Sequence, residues 1–550
     1  MEQEVRHGDP RGIQPGTAVV TWLKRKAPKV SPTDTTVLYR DFWGLAASKR
    51  GSLIASLSLD DSKSQLGSII PSYSPLKPTR SNRWRLSPHT QDAGYESWPG
   101  LDELFPTTIQ GVNHNRGIEG TVIDGERKSL ETRIQRYISF ADFESASAAE
   151  PDLAKSFAGY EAKEVWGELK KVGFDSAKIL AFLTFPFDER FIYYEPNSKL
   201  LNRARPEFGR NLSENEFLVT VPEPRKVSES RPVYSTELVN LHVHERGSVV
   251  FPREMRGDDL FDDREANIDE LAWRSLRKHF GLSGERSDNT ARKLVGNLFR
   301  CVFAILHAPA YQAEHASALG ADWAHLPIPK KQHVLDRLID VGQTVVRLLD
   351  AHRDAHDIVE AVLGHDCTSA LGALRKQDGQ QIAPDDLKIS VTYWGGGKGR
   401  WKPRAFTEEE KPTENQITAW GDRTGDLFIN DTTFFANVPE AVWTYQLGGY
   451  PVLKKWLGYR QADRREGKPL TDKERRWFRS IVQRIAALLA LSPKLDSLYQ
   501  ECSADCFTTA ELGISLEAAR ERRDAKKKKV GNAKVTPAMK ATVKAPKKKL

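Results

Sequence analysis

The residues of this chain whose types and spacing could do chemistry are few. His242 and His244, in "LHVHER", would share one face of a strand and could supply two ligands to a metal, but no third ligand is placed by sequence. A half-buried histidine pair is the alternative. Cys502 and Cys506 could join Cys367 and His365 as a zinc set, although a zinc site normally shows two closely spaced pairs and only one is present. Gly395–Gly397 lie in "TYWGGGKGRW", where Gly399 is followed by Arg400. A phosphate-binding P-loop needs Gly-Lys-Ser/Thr at that point, so the segment reads as a glycine-rich hairpin turn. No nucleophile-elbow context for a Ser/His/Asp triad is found. The expectation is therefore a chain with no catalytic residues, no metal ligands and no cofactor of its own.

The elements that would position any site come next. At 550 residues and 39% apolar content the chain should build two to four domains. Residues 11–30 and 37–44 read as strands, 129–145 and 151–173 as helices, the second begun by Pro151. "RFIYYEP" and "LHVHERGSVVFP" are strand-like. Residues 268–354 recur at helical spacing, 386–435 return to short strands and turns, and 439–459 and 471–493 are helical again. The last opens on a capping box, Thr471 with Glu474. The fold class is α+β, a multi-part chain with a helical spacer, a mixed strand/helix part and a Lys-rich C-terminal tail.

The charge is unevenly placed. From Glu521 to Leu550 there are twelve Lys/Arg against two Asp/Glu, which exceeds the net charge of +8 for the whole chain. The rest is close to neutral. With almost nothing to bury, the tail should be disordered, and its lysines suit either non-specific binding to a polyanion or simple solubility. Four cysteines, no apolar run of membrane-spanning length and an N-terminus unlike a signal peptide predict a cytoplasmic protein.

One segment, "LTFPFDERFIYYEPNSKLLNRARPEF" (183–208), crowds aromatics and arginines together. Its Phe185-Pro186-Phe187-Asp188-x-Arg190, followed by Ile192-Tyr193-Tyr194 and "LLNRARPE", resembles a hallmark of the single-polypeptide, ATP-dependent Type ISP restriction–modification enzymes. "GIQPGTAVVTWLKR" (12–25), "VLYRDFWG" (37–44), "LDELFPTTIQGV" (101–112), "VFAILHAPAYQAEHASALGADWAHLPIP" (302–329), "VLDRLIDVGQTVVRLLDAH" (334–352) and "NVPEAVWTYQLGGYPVLKKWLGYR" (437–460) are similar to further family segments in the same order. The likeness covers roughly 11 to 500. It implies a remnant of the end of a methyltransferase domain at 1–45, a linker and helical segment at 46–180, a specificity (target recognition) domain at 181–500 with two possible sub-domains, and a C-terminal extension with a basic tail at 501–550.

The departures matter equally. Complete family members carry nuclease, helicase-like and methyltransferase parts, and no such motif is complete in this sequence. There is no Pro-Pro dipeptide, so the Asn/Asp-Pro-Pro-Tyr/Phe loop of amino-methylating DNA methyltransferases is missing. The resemblance thus implies sequence-specific recognition of double-stranded DNA within a system of adenine-N6 methylation and defence against foreign DNA. S-adenosylmethionine, ATP and Mg are expected only for a full-length relative or a methyltransferase/helicase/nuclease partner encoded separately. The other reading is a truncated or repurposed remnant that binds DNA non-specifically through its tail.

A DNA-reading part needs cations for phosphates and side chains for base edges. "KGRWKPR" offers Lys398, Arg400, Lys402 and Arg404 around Trp401 on a hairpin-like stretch, where strand alternation would aim the even-numbered cations one way and Trp401 the other. A solvated hairpin with a buried tryptophan is the competing reading. Lys454, Lys455, Arg460, Arg475, Arg476 and Arg479 belong to a second basic cluster. Arg190 completes the set of candidate DNA contacts, with pairing to Asp188 or Glu195 as its structural alternative.

Overall fold

The computed structural model describes residues 37–39, 74–76 and 93–521, apart from 118–119, 157–159, 225–229, 246, 257–263, 394–396, 411, 466, 516, 518 and 520. The expected strand at 11–30 and the lysine tail lie outside the described residues. The chain divides into two compact units, Met1–Glu96 and Ser97–Leu550. In the first, Val37–Tyr39 pairs antiparallel with Ser74–Leu76, which places a strand at the start of "VLYRDFWG".

The second unit is α+β. Its helical centre is the crossing of Asn289–His307 with Gln332–Leu349. The two backbones meet at Gly342, where a Cβ would lie 1.9 Å from the Arg300 carbonyl oxygen. No side chain fits there. Ser492–Ala504 packs against both of these helices and Asp472–Ala490 against the second. Arg484, wholly buried, donates to the carbonyls of Leu348 at 3.2 Å and Asp350 at 2.7 Å, satisfying acceptors that the end of the Gln332–Leu349 helix leaves open.

Three four-stranded sheets surround this centre. One has the order Ile123–Asp124, Asp188–Tyr193, Ile179–Phe185, Leu238–Val239, the last pair parallel. A second, antiparallel, runs Ile109–Gln110, Val249–Pro252, Phe217–Thr220, Val233–Ser235. The third, also antiparallel, runs Ala373–Lys376, Thr433–Ala436, Arg423–Phe428, Trp401–Ala405.

Several sequence expectations change. The helix placed at 129–145 is two, Arg127–Ser139 and Phe143–Ala149, because Asp142 caps the second through Ser145 N at 2.8 Å. The helix expected from Pro151 begins only at Ala162, and Pro151 sits in a turn. His242 and His244 lie in a turn before the Val249–Pro252 strand, with His242 exposed and His244 buried, so they share no strand face. Residues 439–459 are not one helix. They form a short helix, Glu440–Thr444, a tight hairpin, Gln446–Leu447 with Tyr450–Pro451, and a second helix, Val452–Gly458. The hairpin turn is Gly448-Gly449, with φ of +61° and +81°, and a Cβ on Gly448 would come within 2.7 Å of the Val243 carbonyl oxygen. Only glycine meets both demands.

Candidate nucleic-acid interface

The third sheet carries most of the first basic cluster. "KGRWKPR" is not a hairpin by itself: its strand, Trp401–Ala405, is the sheet edge and pairs with Arg423–Phe428 across a connection that contains the Glu414–Trp420 helix. The registers define two rows of side chains. Leu374, Phe435, Leu427 and Trp401 lie opposite one another in successive strands. This row is the inner one, since Phe435 meets Phe478 of the Asp472–Ala490 helix with ring centroids 4.4 Å apart. Trp401 donates its indole N–H to Val438 O at 2.9 Å and covers Gly425, where a Cβ would lie 2.4 Å from the indole.

The alternate row faces outward: Arg375, Phe434, Phe428, and Arg400, whose carbonyl accepts from Phe428 N at 2.9 Å. The aromatic rings of Phe428 and Phe434 lie 4.9 Å apart, tilted by 31°. Lys402 Nζ stands 4.3 Å and Arg400 Cζ 4.9 Å from the Phe428 ring centre. Such contacts fix the cations over the ring without consuming their charge. Arg400 also pairs with Asp431 at 2.6 Å, but Asp431 is 94% exposed, and an exposed pair of this kind contributes only about 0–1 kcal/mol. A phosphate can take its place. Arg404 is committed elsewhere, to Glu410 and to Asp426 at 3.1 Å. Lys398 is exposed just before the strand. The alternation of "KGRWKPR" made this face legible, whereas Arg375, Phe428 and Phe434 were missed because they come from other strands and only pairing register brings them together.

Arg190 and Arg460 are buried rather than surface cations. Arg190 is 2% and Arg460 6% exposed, and both turn inward to Asp188. Arg190 Nη2 is 3.3 Å and Arg460 Nη2 2.8 Å from that carboxylate. Arg460 continues to Glu474 at 3.0 Å, which also holds Arg465 at 3.1 Å and closes the capping box with Thr471. The Arg460 guanidinium lies 3.7 Å above the Trp456 ring. Burial alone would push the Asp188 carboxyl up, but Arg190 and Arg460 outweigh it and hold the group below the usual carboxylate range. The turn at Pro186-Phe187, with Phe187 at φ +61°, aims this hairpin at the C-terminal part, and Trp477 donates to Phe187 O at 2.9 Å. Phe185 stacks on Tyr459 at 4.9 Å. Glu195 pairs with Lys178 instead. Phe185, Phe187, Asp188 and Arg190 are thus the plug that joins the Asp188–Tyr193 sheet to the C-terminal helices, whereas Arg203 and Arg205 pair with Asn113 and Gln110.

The remaining candidates divide in the same way. Lys455 Nζ is enclosed by Phe185, Tyr450 and Tyr459 at 4.7, 4.8 and 5.0 Å. Burial, then the neighbouring charge of Arg464, pull its ammonium down to about 8. Arg479 donates to Leu371 O at 3.1 Å and to Ser369 O, tying the Asp472–Ala490 helix to the segment before Ala373–Lys376. Arg475 pairs with Asp472 at 2.7 Å, Lys454 is half-exposed, and Arg476 is exposed. Cys502 donates its S–H to Pro327 O at 2.8 Å, and among the described residues no three His, Cys, Asp or Glu side chains converge as a ligand set. Among them, too, no helix is long and apolar enough to cross a membrane.

The profile of the Type ISP C-terminal specificity domain matches residues 103–487. No curated protein matches the sequence. Among solved structures, the chain is similar to the cryoEM structure of the DrdV–DNA complex, with TM-score 0.50 and 17% identity over 86% of this chain and 44% of that one. A nuclease-deletion mutant of the Type ISP restriction–modification enzyme LlaGI in complex with a DNA substrate mimic gives 0.48 and 14%, over 82% of this chain and 37% of that one. The ATP-dependent Type ISP enzyme LlaBIII bound to DNA gives 0.46 and 13%, over 79% and 26%. The chain therefore spans less than half the length of each of these proteins. With the family profile covering well over half of its 550 residues, the chain belongs to the Type ISP C-terminal specificity domain family.

Proposed function

We propose that this chain recognises a short sequence in double-stranded DNA, as the specificity part of a Type ISP-like restriction–modification system. The observation that carries the reading is the pair of cations, Arg400 and Lys402, held over the Phe428 ring at the edge of the third sheet, in a chain of a specificity-domain family. The edge strand Trp401–Ala405 with its neighbour Arg423–Phe428 is a two-stranded ribbon, and a ribbon of that width enters a major groove about 12 Å wide. Lys402 and Arg400 are then the phosphate and base-edge contacts, with the exposed Lys398 and Arg476 and the half-exposed Lys454 available for the backbone. A partner carrying methyltransferase, helicase and nuclease parts, with S-adenosylmethionine, ATP and Mg as its cofactors, would supply the adenine-N6 methylation and cleavage that this chain's residues do not furnish.

Binding of a labelled duplex measured against salt tests this. Each phosphate contact contributes about −0.9 to the slope of log K on log salt, so Arg400→Ala and Lys402→Ala should each reduce its magnitude by roughly that amount if they touch phosphate. Unchanged slope and affinity in the double substitution would remove the sheet from the interface.

A further inference from the structure

The outward row of the third sheet has a feature that a duplex does not use. Its two aromatic residues lie in the two central strands, with cations at both margins: Arg375 on one edge strand, and Arg400 and Lys402 on and beside the other. Four strands span roughly 14 Å between the outer backbones before side chains are added, wider than a major groove of about 12 Å. Phe434, half-buried in a central strand, therefore cannot reach a base inside an intact groove while its sheet stays whole. A half-exposed ring in the middle of a sheet face, bordered by cations, is suited to a strand whose bases are unpaired: a base stacks on Phe434 and the phosphates run to the margins.

We propose that this face holds a single-stranded segment of DNA, with a base stacked on Phe434 and phosphates on Arg375 at one margin and on Arg400 and Lys402 at the other. The proposal rests on the DNA-recognition reading above and adds to it a second DNA state held by the same sheet. Phe428 supports the platform from below the two cations and keeps Phe434 in place through the 4.9 Å ring contact. The exposed Asp431 releases Arg400 when phosphate arrives. The duplex engages the edge ribbon, and the opened strand engages the centre of the sheet.

The test compares three labelled oligonucleotides of one sequence, namely a perfect duplex, the same duplex with a central unpaired bubble, and the single strand, against the full chain. The wild-type chain should bind the bubble and the single strand about fivefold or more tightly than the duplex, the effect of one stacked base. Phe434→Ala should erase that margin while leaving duplex affinity unchanged, and Phe434→Tyr should restore it. Arg375→Ala, at an exposed position that does not threaten folding, should cut binding of the single strand and not of the duplex. The lysine tail is the same in every variant, so it cannot create the difference. Equal affinity for all three DNAs, or a margin indifferent to Phe434→Ala and Arg375→Ala while duplex binding persists, overturns the proposal and leaves duplex recognition standing. Failure to bind any DNA overturns both.

Discussion

Asp188 is the residue on which two arginines depend. Removing its charge takes from the buried Arg190 and Arg460 the carboxylate they share, and breaking a buried pair in this way costs about 3–5 kcal/mol. Asp188→Asn should lower stability to urea by that order while the exposed Arg476→Ala leaves it within about 0.5 kcal/mol. The same carboxylate, with Glu474 and Glu216, is held below its ordinary range by neighbouring arginines against the opposing effect of burial. A lowered carboxyl contributes stability that is present above its unfolded-state value and lost as pH falls through the folded one, so acid should unfold the wild type more steeply than Asp188→Asn. Lys455 gives the same slope in a higher pH window, but from a charged form that folding disfavours. Its ammonium, pulled down to about 8 by burial and Arg464, is disfavoured in the folded chain, so between about 8 and its ordinary value the unfolded chain binds more protons and stability rises with pH. Lys455→Met should lack that rise, and the difference between the two melting-temperature profiles above pH 8 checks it.

Elements were legible where the local signal and the tertiary context agreed. Thr471 and Glu474 announced the Asp472–Ala490 helix, and the structure shows both halves of that capping box. The Gln332–Leu349 helix followed from its apolar spacing. Where tertiary contacts decided, the reading differed: "LHVHE" is apolar and polar in turn, yet it bends because Glu245 N donates to Gly448 O and the Gly448-Gly449 turn needs that surface. The Glu414–Trp420 helix went unseen because seven residues carry too little periodicity, and its anchor, Trp420 donating to Ala486 O at 3.0 Å, is far away in sequence. Gly342 supplies a prediction at this scale. Gly342→Ala would drive a methyl group into the Arg300 carbonyl 1.9 Å away, forcing the two central helices apart, and should destabilise by more than the 1–3 kcal/mol of ordinary overpacking. Thermal unfolding monitored at the helix band reads this directly.

At the scale of the whole molecule, the folded unit separates support from contact. Arg190, Arg460, Arg465, Arg479 and Arg484 hold its parts together, whereas Arg375, Arg400 and Lys402 stand on an outer sheet face with charge to spare. Sequence could count these cations but not sort them, because burial of an arginine depends on a distant partner such as Asp188 for Arg460. The family was legible from ordered segments, and the candidate interface only in part: its edge-strand cations from alternation, but Arg375, Phe428 and Phe434 only from strand register. The proposed function requires that the folded body prefer one DNA sequence without help from the lysine-rich end. Selection from a randomised duplex library by the chain shortened after Glu521 measures this most directly. Enrichment of a single short motif, weakened when Arg400 and Lys402 are replaced, is the expected result; recovery of the library without any preferred sequence would rule out sequence recognition by this body.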